Sequence, residues 1–298
     1  MNPNVVVVTG AATGIGRLSA ELLARSGYQV YASMRDPEGQ DRVHAQAIEA
    51  LALAHGLAIR PLALDVLRED SCRAAADLIV AQQGRIDVVV NNAGMLVLGV
   101  TEAFRSEQVL EAVNTNALSW LRVNRAFLPA MRRQGRGLLV YVGSSSTQVI
   151  DPFIGPYAAS KAAGEVLALT MAVENSAYGI ESVIVVPGAY TRGTAHFEHA
   201  RHAADQAVTA QYSRINHLPP ELPERLNRMH GPGIRTDPAE VAEAIRDAIA
   251  LPHGERPLRV VVDPQRRGME ALFALQIRLQ EDAYRRMGIE SLLRLRIA

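Results

Sequence analysis

Short apolar runs alternate with longer amphipathic segments along most of the chain. Seven runs are nearly continuous in β-branched residues or leucine, which is typical of strands covered on both faces. These runs are Val5–Val8, Gln29–Ser33, Ile59–Leu64, Asp87–Val90, Leu138–Val142, Ser182–Val186 and Leu258–Val262. The segments between them have apolar residues at helical spacing, and they are Ile15–Arg25, Gln40–His55, Glu69–Gln82, Ser106–Arg133, Pro156–Ala177 and Pro238–Ala250. This alternation predicts an α/β fold, with a doubly wound seven-stranded parallel sheet and helices on both faces.

Two regions interrupt this pattern. Thr194–Thr236 holds several prolines and glycines, and we expect it to form a lid insertion over the carboxyl edge of the sheet. The tail from Gln265 to Ala298 has helical spacing, with Met269, Leu272, Phe273, Leu279 and Met287 on one broad face. We therefore expect one domain over residues 1–264, which includes the lid, and a helical extension over 265–298.

Composition narrows the class of protein. The 298 residues are 48% hydrophobic and carry no formal net charge, so a full core can form and neither nucleic acid nor anionic lipid is favoured as a partner. A single cysteine excludes an intrachain disulfide and a structural cysteine-based zinc site. Neither a signal peptide nor an apolar run long enough to span a bilayer is evident. These features favour a cytoplasmic protein with a small-molecule partner.

A glycine-rich turn, Thr9–Gly16, follows the first predicted strand and opens the first helix. Glycine lets the backbone turn sharply and approach a pyrophosphate, whose charge meets the free N–H groups of the helix. The turn therefore predicts a dinucleotide site; the alternative is a tight turn that serves packing alone. The residues we assign to it are Gly10, Thr13, Gly14, Ile15 and Gly16.

The end of the second strand bears on the choice of cofactor. An NAD site usually has an acidic residue there for the ribose 2′-OH, whereas NADP needs a positive charge. Met34 occupies that position, Arg35 follows it, and Ser33 could donate a further hydrogen bond. NADP(H) is therefore favoured over NAD(H), unless Arg35 is a solvated loop residue that Asp36 partly neutralises.

Polar residues also follow the third and fourth strands. Asp65, followed by Val66, can accept a hydrogen bond from the adenine amino group, or it can cap the next helix. In Asn91–Gly94, amide side chains can tie strands together, and Gly94 allows close approach of a cofactor. We assign Asp65, Val66, Asn92, Ala93 and Gly94 to cofactor binding.

Tyr157 and Lys161 lie one helical turn apart on a predicted helix. Lys161 is the only lysine among 31 basic residues, and an ammonium group is not interchangeable with a guanidinium. A cation about 5 Å away favours the phenolate by roughly 3 kcal/mol at an effective dielectric of about 20. The pair therefore predicts an acid/base tyrosine with a lowered pKa, and a lysine that also binds ribose hydroxyls.

In this order the motifs resemble the short-chain dehydrogenase/reductase family of the NADP(H) type, over Asn4 to Asp263. The motifs that carry the resemblance are Thr9–Gly16, Asp65, Asn91–Gly94, Asn116, Ser144, Tyr157 with Lys161, and Pro187-Gly188. The resemblance implies a Rossmann fold, a nicotinamide cofactor, and hydride transfer to a ketone or from a secondary alcohol.

The family's catalytic residues carry over by position. Its serine lies thirteen residues before the tyrosine, which selects Ser144 beside Ser145 and Ser146, and its asparagine precedes a Leu-Pro-x-Met run, which selects Asn116. The resemblance implies that Ser144 fixes the carbonyl, Tyr157 donates the proton, and Asn116 holds a water that links Lys161 to solvent. It also places Pro187, Gly188 and Thr191 beside the nicotinamide, and it implies no metal.

Substrate class and assembly are less determined. Apolar residues of the lid and of the segment before Tyr157 predict a hydrophobic ketone or secondary alcohol; they are Phe197, Tyr212, Ile215, Leu218, Leu222, Leu226, Met229, Ile150, Pro152, Phe153 and Ile154. Two alternatives remain: a carrier-bound 3-oxoacyl reductase, for which Arg192 and Arg201 could bind the carrier arm, and a nicotinamide-binding regulator without turnover. The resemblance implies a homodimer or homotetramer.

Two further features carry competing interpretations. His196, His199 and His202 are spaced three apart, and we interpret them as one face of a polar lid helix rather than a zinc site. The tail has seven arginines against four acids, and its packing on the domain or on a second subunit is favoured over binding to a membrane.

Overall fold

The computed structural model describes residues 4–295 of the chain. Residues 1–3 of the predicted domain and residues 296–298 of the predicted helical extension lie outside the described residues. The nine strands of the described residues are β1 Val5–Val8, β2 Gln29–Met34, β3 Ile59–Ala63, β4 Val88–Asn91, β5 Val97–Leu98, β6 Gly137–Val142, β7 Ile180–Pro187, β8 Arg201–His202 and β9 Arg259–Val262. Seven of them form one parallel sheet in the order β3-β2-β1-β4-β6-β7-β9, and β5 pairs with β8. The predicted seven-stranded α/β sheet is confirmed.

The described residues form ten α-helices. They are α1 Gly14–Arg25, α2 Arg42–His55, α3 Glu69–Gln83, α4 Ser106–Val113, α5 Ser119–Gln134, α6 Gly155–Ser176, α7 Gln206–Gln211, α8 Leu218–Asn227, α9 Ala239–Ala250 and α10 Met269–Met287. The segment predicted as one helix, Ser106–Arg133, consists of α4 and α5 joined by a π-helical turn, Asn114–Leu118. Such wider turns are frequent at functional sites.

The strands are buried on both faces, as their apolar runs predict. Alternate side chains of a strand point to opposite faces, so Val5 and Val7 enter one core while Val6 and Val8 enter the other. Trp120 and Phe127 of α5 fill the first core, and Leu23 and Ile245 pack in the second. A third cluster beside the carboxyl edge joins Leu222 and Leu226 of the lid to β5 and Tyr157.

The lid and the tail differ in part from what their patterns predict. The lid holds β8, α7 and α8, but His196 lies in a turn and His202 in β8, so the predicted histidine helix is wrong. Backbone pairing explains this, because Arg201 N–H donates to Leu96 O at 3.0 Å. In α10 only Met269 and Phe273 of the predicted stripe are buried. Within residues 4–295, no helix is both long and apolar enough to cross a membrane.

Candidate active site

A cleft of about 550 Å³ lies at the carboxyl edge of the sheet. Strand order reverses on either side of β1, since β2 lies on one flank and β4 on the other. Ligands of open α/β sheets bind in the crevice at such a switch point. The cleft therefore lies where the glycine-rich turn leaves β1 and where α6 brings Tyr157.

Most of the sequence-predicted site residues line this cleft. They are Gly10, Thr13, Gly14, Ile15, Gly16, Arg35, Asp65, Val66, Asn92, Ala93, Gly94, Ser144, Tyr157, Lys161, Pro187 and Gly188. The exceptions are Ser33, Asn116 and Thr191, which lie outside the lining.

The glycine-rich turn is shaped by close backbone contacts. Gly10 and Gly14 have φ of +63° and +57°, a region that favours glycine. A Cβ on Gly16 would lie 2.3 Å from Gly10 O and 2.4 Å from Asn92 Nδ2. Asn92 Nδ2 donates to Thr9 O at 2.9 Å, which ties the turn to the end of β4. The backbone N–H groups at the start of α1 therefore face a cleft that side chains do not fill, and this fits a pyrophosphate.

Charged residues line the part of the cleft where the adenosine of a dinucleotide is predicted to bind. Arg35 is exposed, lines the cleft and forms no ion pair with any described residue. Asp36, the adjacent acid, forms no ion pair with Arg35; its carboxylate accepts hydrogen bonds from Gly39 N–H at 2.9 Å and Gln40 N–H at 3.3 Å. Asp41, which the sequence did not single out, also lines the cleft, and it accepts from Asp36 N–H at 3.0 Å.

Ser33 and Asp65 behave differently from each other. Ser33 is fully buried, does not line the cleft, and its hydroxyl has no partner among the described residues. Its hydrogen bond to a 2′-phosphate therefore stays a prediction. Asp65 lines the cleft, and its Oδ1 accepts from Leu67 N–H at 2.9 Å. It does not cap α3, whose N-cap is Arg68.

Tyr157 and Ser144 face each other in the cleft, and both are only 8% exposed. Burial raises the pKa of Tyr157, and the neighbouring Ser144 hydroxyl lowers this pKa by a smaller amount. The predicted net lowering of this pKa is therefore wrong, because desolvation of the phenolate dominates. Ser144 Oγ lies 2.8 Å from Ser146 Oγ, so Ser146, two residues further along the chain, orients the hydroxyl of Ser144.

Lys161 is held on the sheet side of Tyr157. Its Nζ donates to Val142 O at 2.9 Å and lies 5.3 Å from the centroid of the Trp120 ring. Burial lowers the pKa of Lys161 to about 8. The ammonium thus loses its proton within reach of physiological pH, unlike an ordinary lysine.

Asn116 lies in the π-helical turn and is fully buried behind the cleft. Its Nδ2 donates to Met95 O and to Ser160 Oγ, both at 2.9 Å, and its Oδ1 accepts from Met95 N–H at 2.8 Å. An amide oxygen accepts two hydrogen bonds, so the side chain keeps room for one more donor. Asn116 therefore links the loop after β4, at Met95, to α6, at Ser160. A water could bind this side chain only at the remaining lone pair of its amide oxygen.

The end of β7 and the segment after it line the cleft through Pro187 and Gly188 but not through Thr191. Thr191 Oγ1 instead hydrogen-bonds Asn227 of α8, and its contact with the cofactor stays a prediction. Thr194, three residues further on, does line the cleft. The partner in α8 is remote in sequence, and no local signal identifies it.

The substrate end of the cleft is more polar than expected. Of the predicted apolar wall, only Ile154, Phe197 and Leu226 line the cleft; Leu222 is buried in the third core cluster, and Ile150, Ile215 and Met229 are exposed. Polar residues that the sequence did not assign to the cleft also line it, namely Glu111, Thr115, Asp151, His196 and His199.

The tail supports the site from behind. Arg267, whose side chain is 2% exposed, donates to Asp151 at 2.8 Å. Gln265 accepts from Ala189 N–H and donates to Ala189 O, both at 2.8 Å. Sequence reasoning missed both contacts, because neither is local.

Three features of this site are typical of an α/β oxidoreductase that uses a dinucleotide. They are the glycine-rich turn that can admit phosphates, the cleft at the switch point of the sheet, and the buried pair Tyr157 and Lys161. A family model described as short chain dehydrogenase matches residues 4–205. The chain belongs to this family, whose members are oxidoreductases that bind a nicotinamide cofactor.

Curated relatives share the same part of the chain. A 3-ketodihydrosphingosine reductase from Bacteroides thetaiotaomicron is 33% identical over 65% of this chain and 66% of its own length. The human 17-beta-hydroxysteroid dehydrogenase type 1 is 36% identical over 63% of this chain and 57% of its own length. This chain thus spans less than two thirds of the length of these relatives.

Solved structures match more of the chain. A short-chain dehydrogenase from Streptomyces avermitilis has a TM-score of 0.74 at 27% identity, over 97% of this chain and 98% of that one. An alcohol dehydrogenase from the archaeon Thermococcus sibiricus, complexed with 5-hydroxy-NADP, has a TM-score of 0.68 at 26% identity, over 87% and 95%.

Proposed function

We propose that this protein is an NADP(H)-dependent oxidoreductase that interconverts a ketone and a secondary alcohol. The observation that carries the proposal is the placement of Tyr157, Ser144 and Lys161 in one cleft with the glycine-rich turn. The relatives support the substrate class, since their names describe a keto reductase, a hydroxysteroid dehydrogenase and a cyclopentanol dehydrogenase.

The bound nicotinamide would supply the hydride. Ser144 donates a hydrogen bond to the carbonyl oxygen, and Tyr157 donates its proton as charge develops on that oxygen. The raised pKa of Tyr157 keeps the phenol protonated near neutral pH, which is the form that carbonyl reduction requires. Lys161 binds the ribose hydroxyls, and Gly10, Gly14 and Gly16 admit the pyrophosphate.

The two alternatives fit less well. A carrier-bound substrate needs free cations at the mouth of the cleft, but Arg201 is paired with Glu111 and Arg192 does not line the cleft. A regulator without turnover has no need for a buried tyrosine facing a serine. Oxidation of NADPH in the presence of a panel of aliphatic, cyclic and steroid ketones tests all three, and the absence of any ketone-dependent oxidation would contradict our proposal.

Arg35 provides a test of cofactor choice. Because its guanidinium is free, we expect it to form charge-assisted hydrogen bonds with a 2′-phosphate. Arg35→Ala should weaken NADPH binding about tenfold, since one such exposed contact contributes roughly 1.5 kcal/mol, and leave NADH binding within about twofold. Fluorescence titration of both cofactors measures this, with Arg25→Ala at the far end of α1 as the control. An equal loss for both cofactors would contradict the assignment of the phosphate site.

The pH dependence of cofactor binding tests Lys161. If the ribose hydroxyls bind the ammonium form, binding is full below the lowered pKa of Lys161, about 8, and is lost as the pH rises through it. The dissociation constant of NADPH should rise by up to about tenfold per pH unit above pH 8. Lys161→Met should bind more weakly at pH 7 and show no such rise; the same slope in both proteins would rule out this role.

A further inference from the structure

His196 comes from the lid and packs against the residue at the centre of the site. Its ring is 5.8 Å from the Tyr157 ring, centroid to centroid, at an interplanar angle of 68°, and 6.3 Å from the Phe197 ring at 89°. It lines the same cleft as Ser144 and Tyr157. The imidazole therefore packs against the Tyr157 ring from the lid, in the same cleft.

The His196 ring is uncharged and has unused hydrogen-bonding capacity. Burial and the nearby Lys161 ammonium lower the pKa of His196 to about 4, so the neutral form is present at any pH near 7. A neutral imidazole has one N–H donor and one acceptor nitrogen, yet within residues 4–295 only the backbone N–H of His196 is hydrogen-bonded, at 3.5 Å to Thr194 Oγ1. Both ring nitrogens are thus available to a ligand.

The surroundings of His196 make such a bond selective. Phe197, Ile154 and Leu226 line the same end of the cleft and offer no polar group from their side chains. A polar group that enters this environment without a partner costs free energy, whereas one that meets the imidazole is satisfied. Of these four side chains, only the imidazole of His196 can satisfy a substrate oxygen. Glu111, Thr115, Asp151 and His199 also line the cleft, but none of them has a ring that packs against Tyr157 as the imidazole does.

We propose that His196 is a substrate-binding residue that hydrogen-bonds a second oxygen of the substrate, so that the site prefers ketones with a hydroxyl one or two carbons from the carbonyl. This inference rests on the proposed ketone reduction and narrows its substrate class. When the carbonyl oxygen lies at Tyr157 and Ser144, the next carbons of the substrate on the lid side lie beside the imidazole.

Two pairs of ketones test this without a change in size. The first pair is 1-hydroxy-2-octanone and 3-nonanone, and the second is 1-hydroxy-3-nonanone and 4-decanone; in each pair a methyl group replaces the hydroxyl. We expect kcat/KM with NADPH to be roughly tenfold to a hundredfold higher for the hydroxyketone of at least one pair, because an unmade buried hydrogen bond is costly.

Variants assign the preference to the imidazole. His196→Phe should remove it by lowering kcat/KM for the hydroxyketone alone, whereas His196→Gln, which keeps a donor and an acceptor, should retain part of it. The matched control is His217→Phe, an exposed lid histidine outside the cleft, and it should keep the full preference. A preference that survives in His196→Phe would overturn the proposal.

The outcomes separate this inference from the proposed function. If the wild-type protein reduces 3-nonanone and 4-decanone as well as their hydroxylated partners, the role of His196 is wrong and ketone reduction stands. If it reduces no ketone with either cofactor, the proposed function itself is contradicted, and the inference about His196 falls with it.

Discussion

Tyr157→Phe should lower ketone-dependent turnover by at least about a hundredfold, because general acid catalysis contributes roughly 10²- to 10⁴-fold. The phenol is the group positioned to donate a proton to the substrate oxygen, and phenylalanine keeps the ring, which belongs to the third core cluster together with Ile154 and Leu96. Cofactor binding should stay within about threefold, since only a hydroxyl is lost. Steady-state kinetics and a fluorescence titration of NADPH measure the two effects.

The control for this variant is Tyr178→Phe, which removes the hydroxyl of an exposed tyrosine just beyond α6. It should leave both turnover and binding unchanged. Wild-type turnover in Tyr157→Phe would refute the mechanism, and an equal loss of NADPH binding would show that the variant disturbs the cofactor site instead of the proton transfer.

Glu165→Ala should lower the free energy of unfolding by about 3–5 kcal/mol, the usual cost of leaving one charge of a buried ion pair without its partner. Glu165 lies one turn after Lys161 on α6 and pairs with Arg259 of β9 at 3.0 Å, and the two side chains are 4% and 7% exposed. The same carboxylate accepts from Thr147 Oγ1 at 2.7 Å. Urea unfolding, with midpoint and slope fitted together, measures the loss.

Two further variants show whether the loss of stability comes from the charge of Arg259 being left buried without its partner. Glu174→Ala on the exposed face of α6 should change stability by no more than about 0.5 kcal/mol. Glu165→Leu combined with Arg259→Met should recover much of the loss, because replacing both buried charges with apolar groups is often neutral. A double variant as unstable as Glu165→Ala would assign the loss to packing or to the bond with Thr147.

The sheet and the phosphate turn could be read from sequence because their signals are local. Continuous apolar runs specify strands that are covered on both faces, and a glycine required by close backbone contact, such as Gly16, is recognisable between a strand and a helix. Tyr157 and Lys161 were predictable for the same reason, since one turn of helix brings them to one face.

Other features depend on contacts between distant segments. The histidines of the lid have helical spacing, but pairing of β8 with β5 places His202 in a strand and leaves His196 in the preceding turn. Thr191 hydrogen-bonds Asn227 of α8, which is remote in sequence. The direction of the Tyr157 pKa shift depends on how deeply the phenol is buried, which no sequence spacing shows.

The contacts of Gln265 and Arg267 have a consequence for how this protein could be redesigned. Both residues lie downstream of residue 205, where the family match ends, yet they hold Ala189 and Asp151 beside the reacting groups. A chimera that joined the first 205 residues to another member's carboxyl-terminal part would keep every signature motif. It would lose the hydrogen bonds of Gln265 to Ala189 and the ion pair of Arg267 with Asp151. A redesign that exchanges substrate preference between relatives should therefore replace the loop at Asp151 together with Arg267, the residue that pairs with it.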